Sequence, residues 1–121
     1  MNRQEFFEEL EEQVQTKCKE LDVKLTVIDF GQTLRFHMDE IPGWFNGQYD
    51  VWVYKKQPSN QTLVKELEKF SKWFFDLPNQ VKEYKRLKRK GKLELLAEIN
   101  KRYQKTWNTT EFHPDYKKLI K

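Results

Sequence analysis

Residues 23–38 read Val23-Lys24-Leu25-Thr26-Val27-Ile28-Asp29-Phe30-Gly31-Gln32-Thr33-Leu34-Arg35-Phe36-His37-Met38. Apolar side chains alternate with Lys24 and Thr26 in the first half and with Arg35 and His37 in the second. A period of two is the signature of a strand with one covered face. Gly31-Gln32 between the halves supplies a two-residue turn with glycine first. With that loop Phe30 faces Thr33, Ile28 faces Arg35 and Thr26 faces His37, while Leu25, Val27, Leu34, Phe36 and Met38 gather on the opposite face. A one-residue slip would throw every side chain to the wrong side, so pattern and turn together predict the register as well as the hairpin.

Downstream, Asp39–Gln48 contains Pro42, Gly43 and the pair Asn46-Gly47, with Trp44 and Phe45 between them. Two large aromatics are unusual cargo for a solvated loop. A third strand is predicted over Tyr49–Tyr54, with Tyr49, Val51 and Val53 on one face and Asp50, Trp52 and Tyr54 on the other. Both faces are largely apolar, so burial on both sides is expected.

Upstream, Phe7, Leu10, Val14, Cys18 and Leu21 recur at three- and four-residue spacing and predict a helix over about Arg3–Leu21. Asn2 is its N-cap, with Glu5 placed for a capping box. Glu8, Glu9, Glu11 and Glu12 sit near the positive end of the helix dipole, a sufficient reason for an acidic cluster without reading catalytic carboxylates into it. Beyond Pro58-Ser59-Asn60 a helix is predicted over about Gln61–Leu77, its apolar face formed by Leu63, Val64, Leu67, Phe70 and Phe74 and widened by Trp73, Phe75 and Leu77. Pro78 is expected to stop it, because proline lacks the N–H that the ladder needs. A shorter helix then covers about Asn79–Lys90 with Gly91 as its cap, and a last one about Lys92–Trp107. In the tail, Phe112, Tyr116, Leu119 and Ile120 are available to pack.

The predicted fold class is therefore α+β: an α-β-β-β-α core with a three-stranded antiparallel sheet, followed by two C-terminal helices. The core is assigned to residues 1–77, and residues 78–121 to a basic helical extension packed on the same single domain.

This element order resembles that of double-stranded-RNA-binding domains and the start of the restriction-endonuclease-like nuclease core. The RNA-binding signatures are missing: the first hairpin loop is only Gly31-Gln32, and the long helix after the sheet opens on Ser59-Asn60-Gln61-Thr62 without a basic cluster. A nuclease would need an acid near one strand end and an acid-X-Lys triplet on the next strand, to hold a magnesium ion against the phosphate. Asp39 stands near the first place, but the third strand offers Asp50-Val51-Trp52, and Asp22-Val23-Lys24 comes too early. Neither family is assigned.

Composition bounds the rest. In 121 residues there are 23 Lys+Arg and 19 Asp+Glu, for a net charge of +4, and aromatic residues make up 15%, which argues against disorder. The single cysteine, Cys18, excludes an internal disulfide framework, and its place on an apolar stripe marks it as a small core residue. His37 and His113 have no ligand partners at recognisable spacing, and no phosphate-cradling glycine loop occurs, so no metal, cofactor or catalytic residue is assigned. No apolar run is long enough to span a bilayer and the acidic N-terminus is unlike a secretory leader, so a cytoplasmic protein without membrane contact is expected.

The charge is unevenly spread. Residues 1–60 carry 7 basic and 11 acidic side chains, and residues 61–121 carry 16 and 8. Its densest point is Lys82–Lys92, where Lys82, Lys85, Arg86, Lys88, Arg89, Lys90 and Lys92 are basic and only Glu83 is acidic. On a helix Lys82, Lys85, Arg86 and Arg89 share a face, which Lys101, Arg102 and Lys105 would extend. Such a surface would grip phosphates, with arginine as the bidentate partner. A solvated lysine-rich face is the bland alternative. A second candidate surface, for a protein partner or for stacking bases, comprises Trp44, Phe45, Trp52, Tyr54 and Arg35, unless the C-terminal helices cover it.

The expected function is that of a small non-enzymatic binding or regulatory protein contacting nucleic acid, or a nucleic-acid-bound complex, through the basic helical region. The chain's 18 lysines against one alanine resemble an A+T-rich accessory gene of a phage or mobile element. The alternatives are a protein-partner inhibitor of a host or defence enzyme, and a metal-dependent nuclease.

Overall fold

A computed structural model describes residues 1–109, 113 and 114, and all of these except the side chain of Trp44 are placed. The elements are α1 (Arg3–Glu20), β1 (Leu25–Asp29), β2 (Thr33–Met38), a single 3-10 turn (Gly43–Phe45), β3 (Gln48–Trp52), α2 (Asn60–Arg89) and α3 (Leu93–Trp107). The expected fold class holds: one helix, an antiparallel three-stranded sheet, then helices.

The hairpin forms in the register that its pattern demands. Thr26 pairs with His37 and Ile28 with Arg35, and the Phe30 N–H donates to the Thr33 carbonyl at 2.8 Å to close the turn. Gly31 sits at φ +88°, a conformation that costs glycine nothing. β2 is the central strand, paired on its other side with β3 through Leu34–Val51 and Phe36–Tyr49.

α1 begins where Asn2 accepts the Glu5 N–H at 2.8 Å. It ends where Asp22 turns left-handed, with the Val23 N–H donating to the Cys18 carbonyl at 2.9 Å. The helix buries Phe6, Phe7, Leu10, Val14 and Cys18, and packs against β1 and β2.

The sheet's inner face is an aromatic layer. Phe36 stacks on Trp73 at 6.2 Å and meets Phe70 at 6.0 Å, and Tyr49 lies 5.3 Å from Trp73 and 6.0 Å from Phe70. Leu34, Met38, Val51 and Val53 are buried beside them. The loop after β2 belongs to this core: Ile41 and Phe45 are buried, and the Trp73 indole donates to the Asn46 carbonyl at 2.9 Å. Gly47 is required there, since a Cβ on it would stand 1.8 Å from the Ile41 carbonyl oxygen.

Three expectations change. Pro78 does not end a helix, because α2 runs unbroken through it for 30 residues. One ladder bond is missing, but Leu77 and Val81 are buried on either side of the proline, and burying each is worth ~1.5–3 kcal/mol. Packing outweighs the missing N–H. Second, β3 ends at Trp52 and is covered on one side only, with Val51 and Val53 buried while Trp52 and Tyr54 face solvent. Third, the apolar face of α2 divides: Leu63, Phe70 and Leu77 are core, whereas Val64, Leu67 and Phe75 are exposed.

The chain forms two compact units, Met1–Val81 and Lys82–Lys121. In the second, Tyr84, Leu87, Leu96 and Asn100 are buried. Asn100 accepts the His113 N–H at 2.9 Å, and the Tyr103 ring lies 5.0 Å from that of His113. The tail residues Phe112, Tyr116, Leu119 and Ile120 lie outside the described residues.

Candidate functional site

The basic segment occupies the last turns of α2 and the turn into α3. Arg86, Lys88 and Arg89 stand in the final turn, where the helix dipole favours positive charge. Gly91 takes φ +67° beyond it, and the Lys92 N–H returns to the Leu87 carbonyl at 3.0 Å. That closure turns the chain within three residues and sets Lys88, Arg89 and Lys90 at the corner, all exposed. Among the described residues none of these three has an acidic partner. Lys82 is exposed two turns back on the face that carries Arg89, and Lys92 is half-buried at the start of α3.

The arginine grip expected of the whole segment is narrower in the folded chain. Arg86 is already held by Glu83 one turn earlier, its Nε at 3.0 Å from the carboxylate. Lys85 is half-buried and engaged. On α3, Arg102 pairs with Glu98 at 3.1 Å. Lys101 and Lys105 are exposed, but Glu94 and Glu98 lie on the same side of the helix at spacings of three, four and seven. The extension along α3 is therefore of mixed sign. Of the ten basic positions expected to act together, the corner Lys88-Arg89-Lys90 keeps an unmixed positive charge.

The second candidate surface is the outer face of the sheet. Arg35 and Asp50, opposite each other across β2 and β3, form a two-pronged pair at 2.9 and 3.1 Å. The Asp50 hydrogen bond is the main cause that raises the Arg35 pKa, opposed by burial and helped by the opposite charge. The Arg35 guanidinium also lies 5.1 Å from the centre of the Phe30 ring. Trp52 and Tyr54 stand side by side, ring centres 5.9 Å apart, and remain 46% and 67% exposed.

One residue assigned to this surface leaves it. Phe45 is fully buried, because its loop folds inward at the Pro42–Asn46 turn instead of standing in solvent. The side chain of Trp44 lies outside the described residues. Sequence reasoning also missed Phe30 and Ile28, both exposed on the outer side. Their signal was present, since Ile28 pairs with Arg35 in the predicted register and so points away from Phe36.

The acids of the nuclease reading are otherwise employed. Both Asp50 oxygens accept from Arg35, whose guanidinium fills the position a cation would take. Asp39 accepts the Thr26 hydroxyl at 2.6 Å. Among the described residues no three His, Cys, Asp or Glu side chains gather to hold a metal ion. Burial pushes the Cys18 thiol up to about 11, which keeps it protonated and a poor nucleophile at neutral pH. No helix among the described residues is long and apolar enough to cross a membrane.

Compared with family models, with curated proteins and with solved structures, the chain finds no match.

Proposed function

We propose that this is a small binding protein that contacts nucleic acid, or a complex carrying it, through the basic corner between α2 and α3. One observation carries this reading: Lys88, Arg89 and Lys90 are consecutive, exposed and without an acidic partner among the described residues. Lys82, Lys92, Lys101 and Lys105 add further positive charge, and the Arg102–Glu98 pair lies at the surface, where an ion pair contributes little and can be exchanged for phosphate. A lysine-rich accessory protein of a phage or mobile element fits this composition.

Fluorescence anisotropy with single- and double-stranded oligonucleotides at two salt concentrations tests it. The parent binds with a steep salt dependence. The triple variant Lys88→Glu, Arg89→Glu, Lys90→Glu binds more weakly, and its log K against log salt slope falls by about 0.9 for each duplex phosphate it no longer neutralises. Equal binding by parent and variant sinks the reading.

A second reading, regulation of a protein partner, is favoured by Trp52 and Tyr54, exposed side by side on the sheet face that carries Arg35. Tryptophan, tyrosine and arginine are the residues that anchor protein interfaces. Under this reading Trp52→Ser abolishes co-purification of one specific protein and the basic triple variant does not.

A further inference from the structure

We infer that the outward side of α2 is a self-association surface, on which a second copy of this chain lays its own α2 antiparallel. Val64, Leu67, Ser71 and Phe75 follow one another at three- and four-residue spacing and so form one line along the helix. Val64, Leu67 and Phe75 are 53%, 42% and 77% exposed. Scattered apolar residues on a surface need no explanation, but a line of them spanning about 16 Å of helix does. The contrast with α1 is direct, since the apolar stripe of that helix is buried from Phe6 to Cys18. Val64, Leu67 and Ser71 also line a shallow depression bordered by Glu68 and Lys72.

Charge identifies the occupant. Glu68 and Lys72 flank the line on the side away from Phe74, and among the described residues neither has an ion-pair partner in its own chain. In a two-fold antiparallel pair each flank meets itself in reverse. Setting Glu68 against the partner's Lys72 places the two-fold axis level with Phe70, the middle of the Val64–Phe75 line. The same register brings Lys72 to the partner's Glu68, Gln61 to the partner's Asn79, and Val64 beside the partner's Phe75. Apolar line and charge pattern thus share one centre. A parallel pairing would put Glu68 and Lys72 against the opposite flank, where Leu67 and Phe74 offer no charge.

Sedimentation equilibrium from micromolar to several hundred micromolar concentration tests this. A reversible dimer of twice the 14.9 kDa chain mass is expected. Phe75→Glu gives a monomer with unchanged far-ultraviolet circular dichroism and Tm. Glu68→Lys alone or Lys72→Glu alone weakens the dimer by roughly tenfold, because like charges then face each other twice, and the double swap restores it to within about threefold. A monomer throughout the range overturns the inference and leaves the line to another occupant. A dimer that survives Phe75→Glu, or one indifferent to the single charge swaps, overturns it equally.

Discussion

The two faces of one sheet are built from alternate residues of the same strands, yet they are held in different ways. On the inner face Phe36, Val51 and Met38 are out of water, and Phe70 and Trp73 of α2 close over Phe36. On the outer face the best-defined contact is the Arg35–Asp50 pair, ringed by the exposed side chains of Ile28, Phe30 and Trp52. Dispersion and the hydrophobic effect scale with covered area, so the inner face carries the stability. The outer face contributes little and is free to be specialised.

The largest break in that contrast is Phe36→Ala. The ring is fully buried at the centre of β2 and touches Phe70 and Trp73, so its removal leaves a cavity that its aromatic neighbours cannot fill. A loss of about 3–5 kcal/mol in unfolding free energy is expected from denaturant titration. Trp52→Ser, on the open side of the neighbouring strand, has no cavity to leave.

High pH gives a smaller and more selective probe of the covered side. Burial, helped by the Glu66 charge, pushes the Tyr49 hydroxyl up to about 12 from 10.0. Burial likewise raises the Cys18 thiol to about 11 from 9.0. Each group holds its proton longer folded than unfolded. Stability is therefore fully present below the unfolded value and falls as pH rises through the window up to the folded one. Thermal melts should decline from about pH 9 to 12, with Cys18→Ala flattening the lower part of that decline and Tyr49→Phe the upper part. Parallel curves for parent and variants would contradict the burial of both groups.

Much of the inner face was legible in the sequence, because two strands and a glycine turn agree on one register and nothing else satisfies all three. The long α2 was less so. Pro78 carries a strong local instruction to stop, and only the burial of Leu77 and Val81, a tertiary fact, overrides it. The division of α2 into a covered and an open line was half legible. Leu63, Phe70 and Leu77 stand about a quarter turn or more from Val64, Ser71 and Phe75, too wide a band for one-sided burial. At the candidate sites, sequence located the charges but not their engagements. Glu83 one turn before Arg86, Glu98 one turn before Arg102 and Asp50 opposite Arg35 each sit at pairing distance in sequence or register, yet pairing depends on side-chain geometry that spacing alone does not fix. Phe45 was misplaced because the aromatics of a loop between strands were read as a partner surface, whereas the Pro42–Asn46 turn carries Phe45 into the core.

The smallest expected effect sharpens the contrast most, because it asks whether the outer face is idle. Asp50→Asn keeps the shape of the Arg35 pair and removes its charge. The pair is half-buried, so salt screens it only in part; the Tm should fall slightly from the parent's, and the difference should shrink in high salt. If the face serves only to be wetted, nothing else follows. If Arg35 and Trp52 form a binding surface, releasing the guanidinium from Asp50 alters ligand or partner capture while the melt falls only slightly, and that separation of binding from stability is the mark of a face retained for function. A large fall in Tm on Asp50→Asn would instead mean that the pair supports the β2–β3 ladder, and the two faces would no longer be unequal.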